Sequence, residues 1–191
     1  MKNKAFDPRS HTFTVSDQIL PDANIWIYLF GPASASVGPA VTTYSAVLNN
    51  MLKAQSHLFL DVLVMGEFVN RYARLEYERL DPPDLVTRRR VYRNFKDFRN
   101  SPTFTSVAKD ITQQAGVVIS LCQSVDHHFA QWNVANLLAD FATGGFDFND
   151  QLLVETCRKY GLALLTNDTD FTEGGITVFT AHWRLLAACP P

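Results

Sequence analysis

Asp22, Glu67, Asp150, Asp168 and Asp170 are the side chains of this sequence whose type and placement best suit chemistry. Each stands just after a segment that reads as a strand, or early in a helix next to one. In a parallel α/β sheet, chemistry gathers beyond the carboxyl ends of the strands, so acids in these positions converge on one edge. Four or more carboxylates brought together repel one another unless cations neutralise them. Hard divalent ions take oxygen ligands and keep several waters. An Asp and Glu cluster with no neighbouring Cys or His therefore points to magnesium or manganese. Such an ion acidifies bound water and polarises a phosphodiester oxygen, and a pair about 4 Å apart serves both ends of an in-line displacement. The reaction class this suggests is phosphodiester hydrolysis.

Each acid also has a purely structural explanation. Asp147 and Asn149 read as helix caps, Asp147-x-x-Asp150 has the spacing of a capping box, and Asp150 suits the positive end of a helix dipole. Glu67 aligns with Arg71, Arg74 and Glu78 at helical spacing, so a solvated stripe with a Glu67–Arg71 pair accounts for it. Asp22 can initiate a turn, and Asp168 and Asp170 lie in a turn sequence rich in acids. What favours chemistry is their joint placement after successive strands.

The elements that must do the positioning follow from periodicity and breakers. Residues 1–16 lack periodicity and read as an N-terminal arm, leaving residues 17–191 as a single domain. Gln18-Ile19-Leu20 reads as a short strand, Pro21 to Asn24 as a turn and Ile25 to Phe30 as a helix stopped by Gly31-Pro32. Ser34 to Gly38 reads as a flexible bridge to a helix over Pro39 to Ala54. His57 to Leu63 has the apolar density of a buried strand and feeds a helix over Val64 to Leu80 that Asp81-Pro82-Pro83 ends. Tyr92, Phe95 and Phe98 recur every three residues within Arg88 to Arg99 and predict an amphipathic helix there. Further helices are predicted near Phe104 to Leu121 and Phe129 to Phe141, before a break at Gly144-Gly145. A helix from Asp150 to Tyr160 capped by Gly161, a strand Leu162 to Thr166 and a strand Ile176 to Phe179 complete the chain. The alternation predicts an α/β fold, a small parallel sheet flanked by helices, with extra helices in the middle of the chain.

Composition narrows the partners. The 191 residues are 47% hydrophobic and carry a net charge of −2 from 17 basic and 19 acidic residues, which excludes nucleic-acid binding by bulk positive charge. Phosphate attraction has to be local, and Arg88, Arg89, Arg90, Arg93, Lys96 and Arg99 form the one basic concentration. The longest apolar stretch, Ile25 to Phe30, is far short of the roughly 20 residues that cross a bilayer. No apolar segment follows the polar N-terminus, so no secretory signal and no membrane association are expected, and the expected location is cytoplasmic. Cys122, Cys157 and Cys189 are odd in number and widely spaced, which fits neither a disulfide framework nor a zinc knuckle.

Laid out this way, the chain resembles the PIN-domain nucleases, the family that includes VapC-type ribonuclease toxins. The likeness is carried by Asp22-Ala23-Asn24-Ile25-Trp26-Ile27 and by Gly66-Glu67-Phe68-Val69-Asn70-Arg71. It is most specific in Asp147-Phe148-Asn149-Asp150 running into Leu164-Leu165-Thr166-Asn167-Asp168-Thr169-Asp170-Phe171. The resemblance implies a three-layer PIN-like fold and a magnesium- or manganese-dependent endoribonuclease. Its metal-binding and catalytic set would be Asp22, Glu67 and Asp150, completed or oriented by Asp168 or Asp170, with Asn24, Thr166 and Asn167 as supporting donors. It further implies RNA as substrate, a homodimer and, for a toxin, an antitoxin protein as partner. Ala23 departs from the family pattern, where a Thr or Ser hydroxyl is common. The extended N-terminal arm and the long helical middle also set this chain apart from the most compact toxins.

Arg89, Arg90, Arg93 and Lys96 are candidates for RNA contact, with Tyr92 or Phe98 stacking on a base. Against this, aromatics at that spacing also suit a core and an acidic partner also suits the cations. His127-His128 lack the i, i+4 spacing of a helical metal pair and read as a loop, and Cys157 reads as core. A haloacid-dehalogenase arrangement needs Asp-x-Asp where Asn24 stands, and a Toprim order would place a glutamate first. A PIN-fold module that binds RNA or protein without turnover is the alternative reading.

Overall fold

The computed structural model describes residues 1–32, 38–85, 89–144 and 147–191. Among these, six strands form one sheet: β1 (Lys4–Phe6), β2 (Gln18–Pro21), β3 (His57–Leu60), β4 (Gln123–Ser124), β5 (Ala163–Leu165) and β6 (Thr177–Phe179). Their order is β1-β6-β5-β2-β3-β4 and every pairing is parallel. The central strands show why. Ile19 and Leu20 are consecutive yet both fully buried, as are Leu164 and Leu165, so both sheet faces are covered, the situation in which parallel sheets occur. The covering helices are α1 (Ala23–Phe30), α2 (Pro39–Lys53), α3 (Val62–Leu80), α4 (Phe95–Arg99), α5 (Pro102–Leu121), α6 (Val134–Phe141), α7 (Phe148–Tyr160) and α8 (Trp183–Ala188). This is the α/β architecture that the alternation predicts.

Register sets the site. Pro21 of β2 is opposite Leu165 of β5, the Asp22 N–H donates to the Leu165 carbonyl at 2.9 Å and the Thr166 N–H to that of Phe179 at 3.0 Å. Asp22 and Thr166 thus leave the sheet side by side. Gly161, at φ 66°, ends α7 in the left-handed conformation and returns the chain to β5.

Four expectations change. Residues 1–16 are not a bare arm: β1 pairs with β6, and the buried Asn3 donates to the Phe171 carbonyl while its Oδ1 accepts from the Ile176 N–H. A three-residue edge strand is too short to show alternation. The strand predicted over His57 to Leu63 stops at Leu60, because the Asp61 side chain accepts from the Leu63 N–H and starts α3. The segment predicted to run as a helix from Phe129 contains a 3-10 turn at Phe129–Gln131, after which the Asn133 cap begins α6.

The basic segment forms a helix only over Phe95–Arg99. Before it, buried Asp81 accepts the N–H groups of Val91 and Tyr92 at 2.7 and 2.9 Å, and Arg90 lies over the Tyr77 ring at 4.6 Å. Those groups close the end of α3 instead of entering a helix of their own. Arg88, most of the bridge Ser34 to Gly38 and Gly145 fall outside the described residues.

Gly174 ties three parts of the fold. Its N–H donates to the Met1 carbonyl at 2.7 Å and its carbonyl accepts from Arg158 Nε at 2.5 Å. At φ 136°, a Cβ there would stand 2.6 Å from Val154 Cγ1. Gly174→Ala is therefore expected to cost about 1–3 kcal/mol and to lower the thermal midpoint by roughly 2–10 °C. An unchanged melting curve would show that α7 yields to the added methyl.

Candidate metal centre

Asp22 caps α1 at the carboxyl end of β2 and is 6% exposed. Its Oδ1 accepts from the Ala23 N–H at 2.6 Å, and its Oδ2 accepts from Asn24 Nδ2 at 2.5 Å and Thr166 Oγ1 at 2.7 Å. The Thr166 hydroxyl oxygen in turn accepts from Asn24 Nδ2 and from the Asp168 N–H, both at 3.0 Å. Asn24 Oδ1 accepts from the Asn167 N–H at 3.2 Å. The three supporting residues named from sequence thus form one network that fixes Asp22 and curls Asp168 toward it.

Electrostatics identifies the rest of the group. Burial pushes the Asp22 carboxyl up to about 6; the Thr166 hydroxyl opposes this, and the charges of Glu67 and Asp168 add to it. Asp150, in the first turn of α7, is pushed up to about 7 by burial and then by Asp147, Asp22, Asp168 and Glu67. Glu67 on α3 is raised by burial and by Asp147 and Asp168, against the lowering influence of Arg71 at 3.7 Å. Asp22, Glu67, Asp150 and Asp168 therefore share one electrostatic neighbourhood, drawn from β2, α3, α7 and the turn after β5.

Asp147 and Asp170 stand beside this group. Asp147 caps α7 by accepting from the Asn149 N–H at 2.8 Å, and its charge also acts on both Glu67 and Asp150. The cap reading was correct but incomplete. The Asp170 carboxylate is not among the charges that raise Asp22, Glu67 or Asp150. Its N–H donates to Asp168 Oδ1 at 3.1 Å. Asp170 lines a cavity of about 330 Å³ beside the group, together with Asp147, Asp150, Asp140 and Glu173.

A further acid escaped the sequence reading. Asp61 is fully buried at the end of β3, with Oδ2 2.8 Å from His127 Nδ1 and 3.3 Å from Thr156 Oγ1. An acid at a strand-to-helix junction was the available signal, hidden by reading the strand through to Leu63. His127-His128 lie in a loop, as predicted. Cys157 is fully buried and its thiol is pushed up by that burial, as a core position requires.

The basic side chains lie elsewhere. Phe95 and Phe98 pack on Tyr77, roughly 15 Å along α3 from Glu67. Arg90 is committed to Glu78 and to the Asp81 carbonyl, and Arg93 pairs with Asp97 at 3.5 Å. Arg90 and Arg93 are thus held by acids and a carbonyl close to them.

The acids fit a hard divalent ion: the candidate ligands are carboxylate oxygens, and the raised proton affinity of Asp22, Glu67 and Asp150 is what a cation would relieve. Among the described residues, no three His, Cys, Asp or Glu side chains are gathered tightly enough to form a finished ligand set. No described helix is long and apolar enough to cross a membrane.

A family model described as PIN domain matches residues 19–175. No curated protein matches the chain.

Proposed function

The chain belongs to the PIN-domain family, and from that premise we propose that it is a magnesium- or manganese-dependent endoribonuclease of the VapC kind, hydrolysing RNA phosphodiester bonds at the carboxylate edge. The observation that carries this reading is that Asp22, Glu67 and Asp150 each hold their proton more strongly because of burial and of neighbouring acids, Asp168 acting on all three. Such a group of acids repels a phosphodiester while it is bare. Neutralisation is thus a condition for substrate entry.

In this reading Asp22, Glu67 and Asp150 hold the ion, Asp168 completes the set, and Asp147 adds charge from the head of α7. When bound, the cation supplies the positive charge that polarises a phosphodiester oxygen and acidifies water. Thr166, Asn24 and the Ala23 N–H keep Asp22 in one orientation without a hydroxyl at position 23. Burial and the neighbouring acids raise the Asp150 carboxyl, and a bound cation would relieve that. Arg71 offsets the charge of Glu67. Exposed Arg89, Arg93 and Lys96 serve flanking RNA at most, away from the reacting bond. The family premise extends the proposal to an antitoxin partner and a homodimer, for which exposed Leu138 and Phe141 on α6 supply an apolar face.

The test is direct. Purified protein should cleave single-stranded RNA in millimolar magnesium or manganese, fall silent in EDTA and recover on adding manganese back. Cleavage that continues undiminished in EDTA overturns the reading.

A further inference from the structure

Trp183 is 69% exposed, whereas Trp26 is fully buried, and an exposed tryptophan leaves a large apolar surface in water. It opens α8, whose Leu185 is fully buried and whose end is tied to β1 by the Ala5 N–H donating to the Cys189 carbonyl at 2.7 Å. The ring is thus held out from a fixed helix.

Its position is traceable to the acid group. Asp22 meets Thr166 through the 2.7 Å hydroxyl bond. The Thr166 carbonyl lies 3.1 Å from the Tyr44 hydroxyl, and that hydroxyl accepts from the Ala181 N–H at 3.0 Å. The next turn, from the His182 N–H to Thr180 Oγ1 at 3.1 Å, leads into Trp183. Since β6 is two strands from β2 in a parallel sheet, its carboxyl end lies roughly 10 Å along the same edge. Trp183 follows β6 by four residues and so leaves the sheet from the same carboxyl edge that carries Asp22 and Thr166.

Arg184 supplies the second element. Its guanidinium carbon is 5.3 Å from the centre of the Trp183 ring. Arg184 is exposed and makes no salt bridge among the described residues. An aromatic ring with a cation over one face and no salt bridge holding that cation matches one nucleotide unit, an unpaired base on the other face with its phosphate at the cation.

We propose that Trp183 and Arg184 form a stacking platform for an unpaired nucleobase of the RNA strand, on the β6 side of the reacting bond, Trp183 taking the base and Arg184 a phosphate. This rests on the ribonuclease reading and adds the side chains that hold one base of the strand beside the reacting bond. Stacking on one aromatic contributes about 1–3 kcal/mol per base and tolerates any base.

The experiment titrates the full chain in millimolar calcium with a single-stranded adenylate hexamer, reading tryptophan emission and affinity, with the strand checked for cleavage on a gel. Emission should be quenched in the wild type. Trp183→Leu should weaken binding by about 5- to 150-fold and remove the quenching, Trp183→Phe should restore most of the affinity, and the thermal midpoint should stay put in both. Arg184→Gln should reduce the slope of log affinity against log salt by about 0.7. Equal binding by wild type and Trp183→Leu overturns the platform. Binding with quenching but no cleavage in any divalent ion spares the platform and sinks the nuclease reading, while a wild-type chain that neither binds nor cleaves RNA sinks both.

Discussion

Asp22→Asn is expected to lower RNA cleavage by about 10³-fold, the scale of losing one preorganised electrostatic group at a reacting centre, with the fold intact. The substitution keeps the shape of the side chain and one oxygen, so a bond from the Ala23 N–H or from Thr166 can persist. It also removes a charge that is costly to bury, as the rise of its carboxyl to about 6 reports. At pH 8 without divalent ions the variant should therefore melt no lower than the wild type. Cleavage assays beside melting curves separate the two roles: a variant that stays active shows that the best-fixed carboxylate of the group is not catalytic. A variant that loses activity together with its melting transition shows that Asp22 matters mainly to the fold, and Asp150→Asn, at a less buried position, then becomes the probe of chemistry.

The second large effect couples pH, divalent ions and stability. Asp22 and Asp150 hold their protons up to about 6 and about 7 when folded, whereas an unfolded Asp loses its proton near 3.9. Between those values the folded chain binds more protons than the unfolded one, so stability falls as pH rises. Their stabilising contribution is complete below about pH 4 and is lost as pH climbs through 6 and 7. For Asp22 alone this is at most about 3 kcal/mol. In EDTA the thermal midpoint should thus fall by several degrees between pH 5 and pH 8. Millimolar manganese should raise the midpoint much more at pH 8 than at pH 5, because the ion and the protons compete for the same oxygens. An equal manganese shift at both pH values would place the ion away from these acids. A flat midpoint in EDTA would show that the carboxylates are solvated.

The parts of this arrangement that were legible in sequence share a physical cause. Asp22, Asp150 and Asp168 stand at strand ends or first helical turns, where local residue types reveal both the element and its boundary. Asp61 satisfies the same rule but was masked by the apolar run around it, since Val62 and Leu63 extend a strand pattern that the Asp61 cap in fact breaks. Asp168 and Asp170 could not be told apart, because the bond from the Asp168 N–H to Thr166, which ties that residue to the Asp22 network, is a tertiary product of the β2–β5 register. Arg88 to Arg99 misled for a related reason. Its threefold aromatic repeat is real and buries Phe98 completely, but the backbone before Phe95 is claimed by the Asp81 carboxylate, a partner that no local pattern announces.

The strand order carries a consequence in time. β1, near the start of the chain, pairs with β6, near its end, and β5 brings Thr166 and Asp168 to Asp22 only after most of the chain has been made. Contacts of such long sequence separation form late and slowly, because a large loop must close before they gain anything. During synthesis the ribosome therefore carries a nascent chain that already holds Asp22, Glu67, Asp147 and Asp150 but lacks the strand that aligns them. The edge is assembled only once β5 emerges, so the acids acquire their shared arrangement as one of the last steps of folding.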